Sequence, residues 1–195
     1  MNRRIAVLLS GRGSNLEAIA NAVRRGEIPG TEIVAVISDV PGARGLELAR
    51  RKGLPAVAIP RPDYPSRAAQ EAEVLSVLDA ARTELLCLAG YMRILSARFI
   101  DRYRGRILNI HPSLLPKFAG LEPQRRALEA GERRSGCTVH FVDEGTDTGP
   151  VVLQREVPIE PSDTVETLSA RILEAEHLAY PEAIARVLAA LPPRP

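Results

Sequence analysis

Asn109 and His111 lie two residues apart in the segment Asn-Ile-His-Pro-Ser-Leu-Leu-Pro at 109–116, closing an apolar run that reads as a β-strand. Residues i and i+2 of a strand point to the same face, so the amide and the imidazole sit side by side. A carboxamide can donate a hydrogen bond to a developing oxyanion. An imidazole exchanges a proton near neutral pH. Pro112 and Pro116 force an irregular loop after the strand and leave its end open. The alternative is a core histidine satisfied by the fold around it.

Three other segments carry residue types suited to ligand chemistry. Ser10-Gly11-Arg12-Gly13-Ser14-Asn15 follows the first apolar run and opens a helical pattern. Glycines allow a tight turn, and the free N–H groups of a helix start hold anions. No Gly-Lys-Ser/Thr follows, so this is not a Walker loop. Asn15 and Leu16 stand where a dinucleotide fingerprint needs its third glycine. The loop therefore suits a single phosphate, or else it is a plain turn with Ser14 as helix cap. Asp143-Glu144-Gly145-Thr146-Asp147-Thr148-Gly149-Pro150 has the composition of a surface turn. It also offers a carboxylate that could orient His111 and favour its protonated form. Gly90-Tyr91-Met92-Arg93-Ile94-Leu95 puts apolar residues in a strand-end loop, where they either pack into the core or line a pocket. No Gly-x-Ser-x-Gly elbow occurs, which disfavours a covalent serine mechanism.

The scaffold for these segments follows from the alternation of apolar patterns. Short, continuously apolar runs at 5–9, 33–37, 56–59, 85–88 and 107–111 predict strands. Between them lie helical patterns: one through Leu16, Ile19, Ala20 and Val23, one around Leu46, Leu48 and Ala49, and one over 67–82. Apolar strands separated by helices predict an α/β fold, a mostly parallel sheet covered on both faces. The last third differs. Strands at 138–142 and 151–157 with no helix between them predict a hairpin-like or mixed extension of the sheet. A long helix follows over 165–191, interrupted near Pro181 and capped by Ser162 or Asp163. The tail at 192–195 reads as frayed.

Composition excludes several classes. A length of 195 residues suits one domain, 1–195, with a substantial core. The net charge of +2 is scattered, tryptophan is absent and aromatics make up 4%, so there is no basic stacking platform for nucleic acid. No apolar run is long enough to span a membrane, and the start lacks a signal peptide's apolar region. A cytoplasmic location is expected. Cys87 and Cys137 sit in apolar runs and read as small buried hydrophobes of a reducing compartment. Two cysteines without a suitably spaced histidine do not make a zinc site, and no metal is expected.

Taken in order, LLSGRGSNLEAI, LAGYMRILS, LNIHPSLLPKF, GCTVHFVDEGTDTGP and EAEHLAYPEAI resemble the glycinamide ribonucleotide formyltransferases, the folate-dependent enzymes of purine synthesis. The resemblance covers nearly the whole chain. It implies a Rossmann-like half at about 1–105 carrying the substrate phosphate, and a folate-binding, catalytic half at about 106–195. It further implies that Gly13, Ser14 and Asn15 hold the phosphate, with Glu176 and the preceding Leu173, Glu174 and Ala175 at the ribose. Arg67, Met92, Arg93, Ile94 and Leu95 would hold the folate, together with Asn109 and with Asp143, Glu144, Gly145, Thr146 and Asp147. Asn109, His111 and Asp147 would be the catalytic trio. His140 and His177 are left with structural or supporting roles. The chain departs from the pattern after Lys117: the family commonly has Pro-Gly-Leu-His-Thr-His, whereas this chain has Ala119-Gly120-Leu121-Glu122-Pro123-Gln124.

The activity so implied is formyl transfer from the co-substrate 10-formyltetrahydrofolate to the amine of glycinamide ribonucleotide. The amine attacks the formyl carbon, and Asn109 and a protonated His111 stabilise the oxyanion. Partners would be small molecules only, for a monomer or homodimer. A methionyl-tRNA formyltransferase is expected to need a further C-terminal domain, and a formyltetrahydrofolate hydrolase an extra N-terminal one. A regulatory module with a retained pocket is disfavoured by the intact trio.

Overall fold

A computed structural model describes residues 2–192 of the chain. Met1 and the last three residues of the tail expected to fray lie outside the described residues. The chain runs β1 (Arg3–Leu9), α1 (Ser14–Arg25), β2 (Thr31–Ser38), α2 (Arg44–Arg51), β3 (Ala56–Ala58), α3 (Arg67–Ala80) and β4 (Leu85–Leu88). It continues through α4 (Ala97–Arg102), β5 (Ile107–His111), α5 (Pro123–Glu129), β6 (Arg134–Phe141), β7 (Val151–Pro158) and α6 (Val165–Ala190).

All seven strands join one sheet in the order β3-β2-β1-β4-β5-β6-β7. The first five pair in parallel, while β6 is antiparallel to β5 and β7 to β6. The mostly parallel sheet with an antiparallel extension is therefore what forms. Strand β1, in the middle of the five parallel strands, shows why the strands read as continuous apolar runs. Ile5, Val7 and Leu9 pack with Leu16, Ile19 and Ile172 on one face, and Ala6 and Leu8 with Val74, Leu78 and Phe99 on the other. Each strand residue is buried whichever way it points, and each large side chain contributes on the order of 1.5–3 kcal/mol.

Helix α6 locks the extension to the parallel half. The buried Tyr180 hydroxyl lies 2.9 Å from the carbonyl of Leu88, the last residue of β4, and 3.0 Å from that of Leu108 in β5. Pro181 does not interrupt this helix, contrary to expectation. A proline removes one N–H, and the buried Ala179, Tyr180, Ala183 and Ile184 hold the turns on either side. The cap is Thr164, not Ser162 or Asp163. Thr164 Oγ1 accepts from the Thr167 N–H, and Thr167 Oγ1 accepts from that of Thr164. Asp163 instead takes Arg171 at 2.6 Å. Helices α4 and α5 were not legible, because six and seven residues are too few to display a helical period. Strand β6 begins four residues earlier than expected, since Arg134-Ser135-Gly136 has the composition of a turn.

Candidate functional site

Strand order reverses at β1, with β2 on one side and β4 on the other, so the loops leaving β1 and β4 diverge at a crevice. Loop 10–13 leads directly into α1. The helix cap there is Gly13, with φ +81°, and Ser14 is the first helical residue with no capping bond. The Ser14 cap expected as the alternative is therefore not present. A Cβ on Gly13 would lie 2.6 Å from the Gly45 Cα, so this position requires glycine twice, for its backbone angle and for its packing on α2. The first-turn N–H groups of α1 point out of the helix end, as a bound anion needs.

Asn15 is buried one residue further on, and its Nδ2 donates to Glu176 Oε2 at 2.8 Å. Burial pushes the Glu176 carboxyl up to about 7, against the pull of that bond. Among the described residues nothing donates to Asn15 Oδ1, itself buried. α1 and α6 thus present an amide and a titratable carboxylate beside the phosphate-type loop. The turn before Glu176 is divided: Ala175 is buried, Leu173 half-buried and Glu174 exposed.

Loop 90–95 is tied to loop 10–13. Ser10 N donates to Gly90 O at 3.0 Å, and Met92 N donates to Ser10 Oγ at 2.9 Å. Ser10 Oγ in turn donates to Asp39 Oδ1, and Arg93 Nε donates to Asp39 Oδ2, both at 2.6 Å. Met92 and Ile94 stand 72% and 74% exposed, so the loop leaves two large apolar side chains at the surface. Leu95 differs, being buried in the core. Arg67 reaches the Ile94 carbonyl from α3.

Asn109 and His111 occupy the end of β5. His111 Nε2 lies 3.0 Å from Phe118 O, and Nδ1 lies 3.3 Å from Asp147 Oδ2. Both oxygens only accept, so the ring meets both with donors only when it carries two protons. Asn109 Nδ2 lies 3.2 Å from His140 Nε2 and 3.4 Å from Asp147 Oδ1. Asp147 is reached through a left-handed backbone angle, φ +56°, uncommon for a residue with a side chain. Burial alone would push its carboxyl up. A hydrogen bond from His140, the Gly120 N–H and the charge of His111 outweigh this and hold it below its ordinary value.

The acidic turn therefore divides its carboxylates. Asp147 turns inward to the histidines, whereas Asp143 Oδ1 closes the turn by accepting from Gly145 N and Thr148 Oγ1. Glu144, Gly145 and Thr146 are exposed. Sequence reasoning left out Asp39 at the crevice and Phe118 O and the Gly120 N–H around the trio, and it named Ser10 only as part of its loop, without its bond to Asp39. His140 lies inside the trio, and half-buried His177 belongs to neither cluster. Among the described residues no group of three or more His, Cys, Asp or Glu is gathered for a metal. No described helix is long and apolar enough to cross a membrane.

A strand-end Asn and His facing an acidic turn, beside a glycine-loop helix start, invites comparison with known proteins. The formyl transferase family matches residues 3–184. The chain belongs to this family. Within the family, it is 45% identical over 177 residues to the phosphoribosylglycinamide formyltransferase of Escherichia coli (strain K12), covering 91% of this chain and 83% of that protein. It is 54% identical over 184 residues to the trifunctional purine biosynthetic protein adenosine-3 of Drosophila pseudoobscura pseudoobscura. That match takes in 94% of this chain but spans only 14% of the trifunctional protein. Among solved structures of the family, glycinamide ribonucleotide transformylase 1 from Symbiobacterium toebii superposes with a TM-score of 0.93 at 50% identity, covering 96% of this chain and 89% of that one.

Proposed function

We propose that the chain transfers the formyl group of 10-formyltetrahydrofolate to the amine of glycinamide ribonucleotide, in purine biosynthesis. The observation that carries this reading is the meeting of Asn109, His111 and Asp147 at the β5 end, with only β4 between it and the glycine loop after β1. The name of the bacterial relative supports the choice of acceptor. Gly13, Ser14 and Asn15 hold the substrate phosphate, and Glu176 meets the ribose. Loop 90–95 with Arg67, and the acidic turn, hold the folate. These roles give the phosphate to about 1–105 and the chemistry to about 106–195, with the folate shared between Arg67 and loop 90–95 of the first part and the acidic turn of the second.

The neutral amine attacks the formyl carbon, forming the new C–N bond and leaving an oxyanion. Asn109 stabilises it by donating through Nδ2, giving up its long 3.4 Å contact to Asp147. The His111 charge, sustained by Asp147, adds to this. When the bond to the folate nitrogen breaks, the proton lost by the amine reaches that nitrogen through His111 or a water held beside it. Tetrahydrofolate and formylglycinamide ribonucleotide leave. A cytoplasmic location and service to small molecules only follow from this role.

The test mixes protein, 10-formyltetrahydrofolate and glycinamide ribonucleotide, and follows the deformylated folate by absorbance. Acceptor-dependent deformylation is the expected outcome. Deformylation that proceeds equally without acceptor makes the chain a hydrolase, and none in either case removes the reading.

A further inference from the structure

The segment 119–124 lacks the histidines common in the family, yet the structure couples it to the trio at two points. Phe118 O sits 3.0 Å from His111 Nε2, and Gly120 N donates to Asp147 Oδ2 at 2.9 Å. Phe118 and Glu122 both adopt left-handed backbone angles, φ +56° and +51°, so this stretch is neither helix nor strand and needs another restraint. Arg126, on α5, supplies one. Its Nη1 lies 2.7 Å from Ala119 O and 3.5 Å from Leu121 O, on either side of Gly120. Its guanidinium carbon lies 5.6 Å from the centre of the Phe118 ring. One exposed side chain thus grips both residues that flank Gly120 and the residue whose carbonyl meets His111.

We propose that Arg126 is a positioning residue for formyl transfer, holding the Phe118 carbonyl on His111 and the Gly120 N–H on Asp147. Glu122 gives the segment no such restraint, since its carboxylate turns outward to Arg125. This rests on the reading of His111 and Asp147 as catalytic. A planar guanidinium suits the task, because it can stack on a ring while its N–H groups reach carbonyls in the same plane. Releasing the segment lets the imidazole and carboxylate drift, and small misplacements of reacting groups are costly.

The experiment compares wild type with Arg126→Ala and Arg126→Lys, by steady-state kinetics with both substrates and by NMR of 15N-histidine-labelled protein. Arg126→Ala is expected to lower kcat about tenfold, with the KM for glycinamide ribonucleotide within about twofold, because the phosphate loop lies across β4. The ring proton on His111 Nε2, assigned by its loss in His111→Asn, is expected to exchange faster with solvent. Arg126→Lys keeps the charge and a donor but not the plane, and is expected to recover part of kcat. Unchanged kcat in Arg126→Ala, a rise in KM alone, or an unchanged exchange rate of the His111 ring proton would each overturn the proposal. If Arg126→Ala does not fold, the NMR and kinetics of Arg126→Lys decide, wild-type values in both overturning it. An inactive wild type would remove the formyl-transfer reading, while the His111 proton would still report whether Arg126 restrains the segment.

Discussion

His140 stands directly opposite Asn109 across the β5–β6 ladder, with its Nε2 3.2 Å from Asn109 Nδ2. Its other nitrogen lies 2.8 Å from the carbonyl of Phe141, which only accepts, so Nδ1 carries the proton. In the neutral ring Nε2 accepts from Asn109, which fixes the amide with its nitrogen toward the trio, and only the doubly protonated ring donates to Asp147 Oδ1, 3.5 Å away. On the proposed chemistry, Asn109→Ala should lower kcat by roughly 10²–10³-fold with little change in either KM. His140→Ala should cost less, because the amide is loosened rather than lost. The double variant should fall little below Asn109→Ala. Steady-state kinetics on the three variants checks this, and additive losses would show that His140 acts by another route.

Asp147 should matter to turnover far more than to binding. Asp147→Asn keeps an acceptor for the Gly120 N–H but removes the charge facing His111. A loss of at least tenfold in kcat is expected, with both KM values within a few-fold. The same carboxylate is linked to stability. Its pKa is lower in the folded chain, so its contribution is present at neutral pH and is lost as the solution is acidified through the folded value. Melting curves of wild type and Asp147→Asn should therefore differ most near pH 7 and converge in acid. Near-wild-type kcat in Asp147→Asn would remove the role.

Much of the scaffold was legible because strands buried on both faces leave an unmistakable trace in sequence. Residues 5–9 are apolar without alternation for the reason seen in the two cores that they feed. The Asn109–His111 pair was legible for an equally simple reason, a spacing of two. What stayed hidden depends on register and on single backbone angles. Nothing in the residues of β6 says that His140, rather than Thr138 or Val139, will face Asn109. Asp143 and Asp147 share one turn composition, and only the left-handed angle at Asp147 sends one inward. The Gly13 cap displaced the expected Ser14 because backbone contact with Gly45 governs that corner. Ser10 and Asp39 are bound by a hydrogen bond across 29 positions of sequence, which no local pattern encodes.

Asp39 should couple the two ligand loops. Its nearly buried carboxylate receives Ser10 from the β1 loop and Arg93 from the β4 loop. Asp39→Ala strands the Ser10 hydroxyl and frees Arg93, which is half exposed and can be rehydrated. A loss of about 1–3 kcal/mol is expected, chiefly from the unmet hydroxyl. Urea denaturation checks the stability. The KM for 10-formyltetrahydrofolate should rise as well, since Met92 N is held by the same Ser10 Oγ. Wild-type values for both would show that the two loops are ordered independently.

Glu176 should make substrate capture depend on pH near neutrality. Its carboxyl, ordinarily at 4.5, is raised to about 7 by burial. A raised carboxyl holds its proton longer in the folded chain than in the unfolded one. Its protonated form therefore favours the fold below pH 4.5, and that advantage, about 3 kcal/mol, is lost between 4.5 and 7. Glu176→Gln, which does not titrate, should accordingly gain stability relative to wild type as pH rises through this window. On the proposed role, only the ionised form accepts from both ribose hydroxyls, so the KM for glycinamide ribonucleotide should fall as pH rises through about 7. The Gln variant should flatten that profile. Asn15→Ala removes the 2.8 Å bond that lowers the Glu176 pKa, so it should raise KM and move the midpoint to higher pH. An unchanged KM in Asn15→Ala would remove both the phosphate-loop assignment and the link between Asn15 and Glu176.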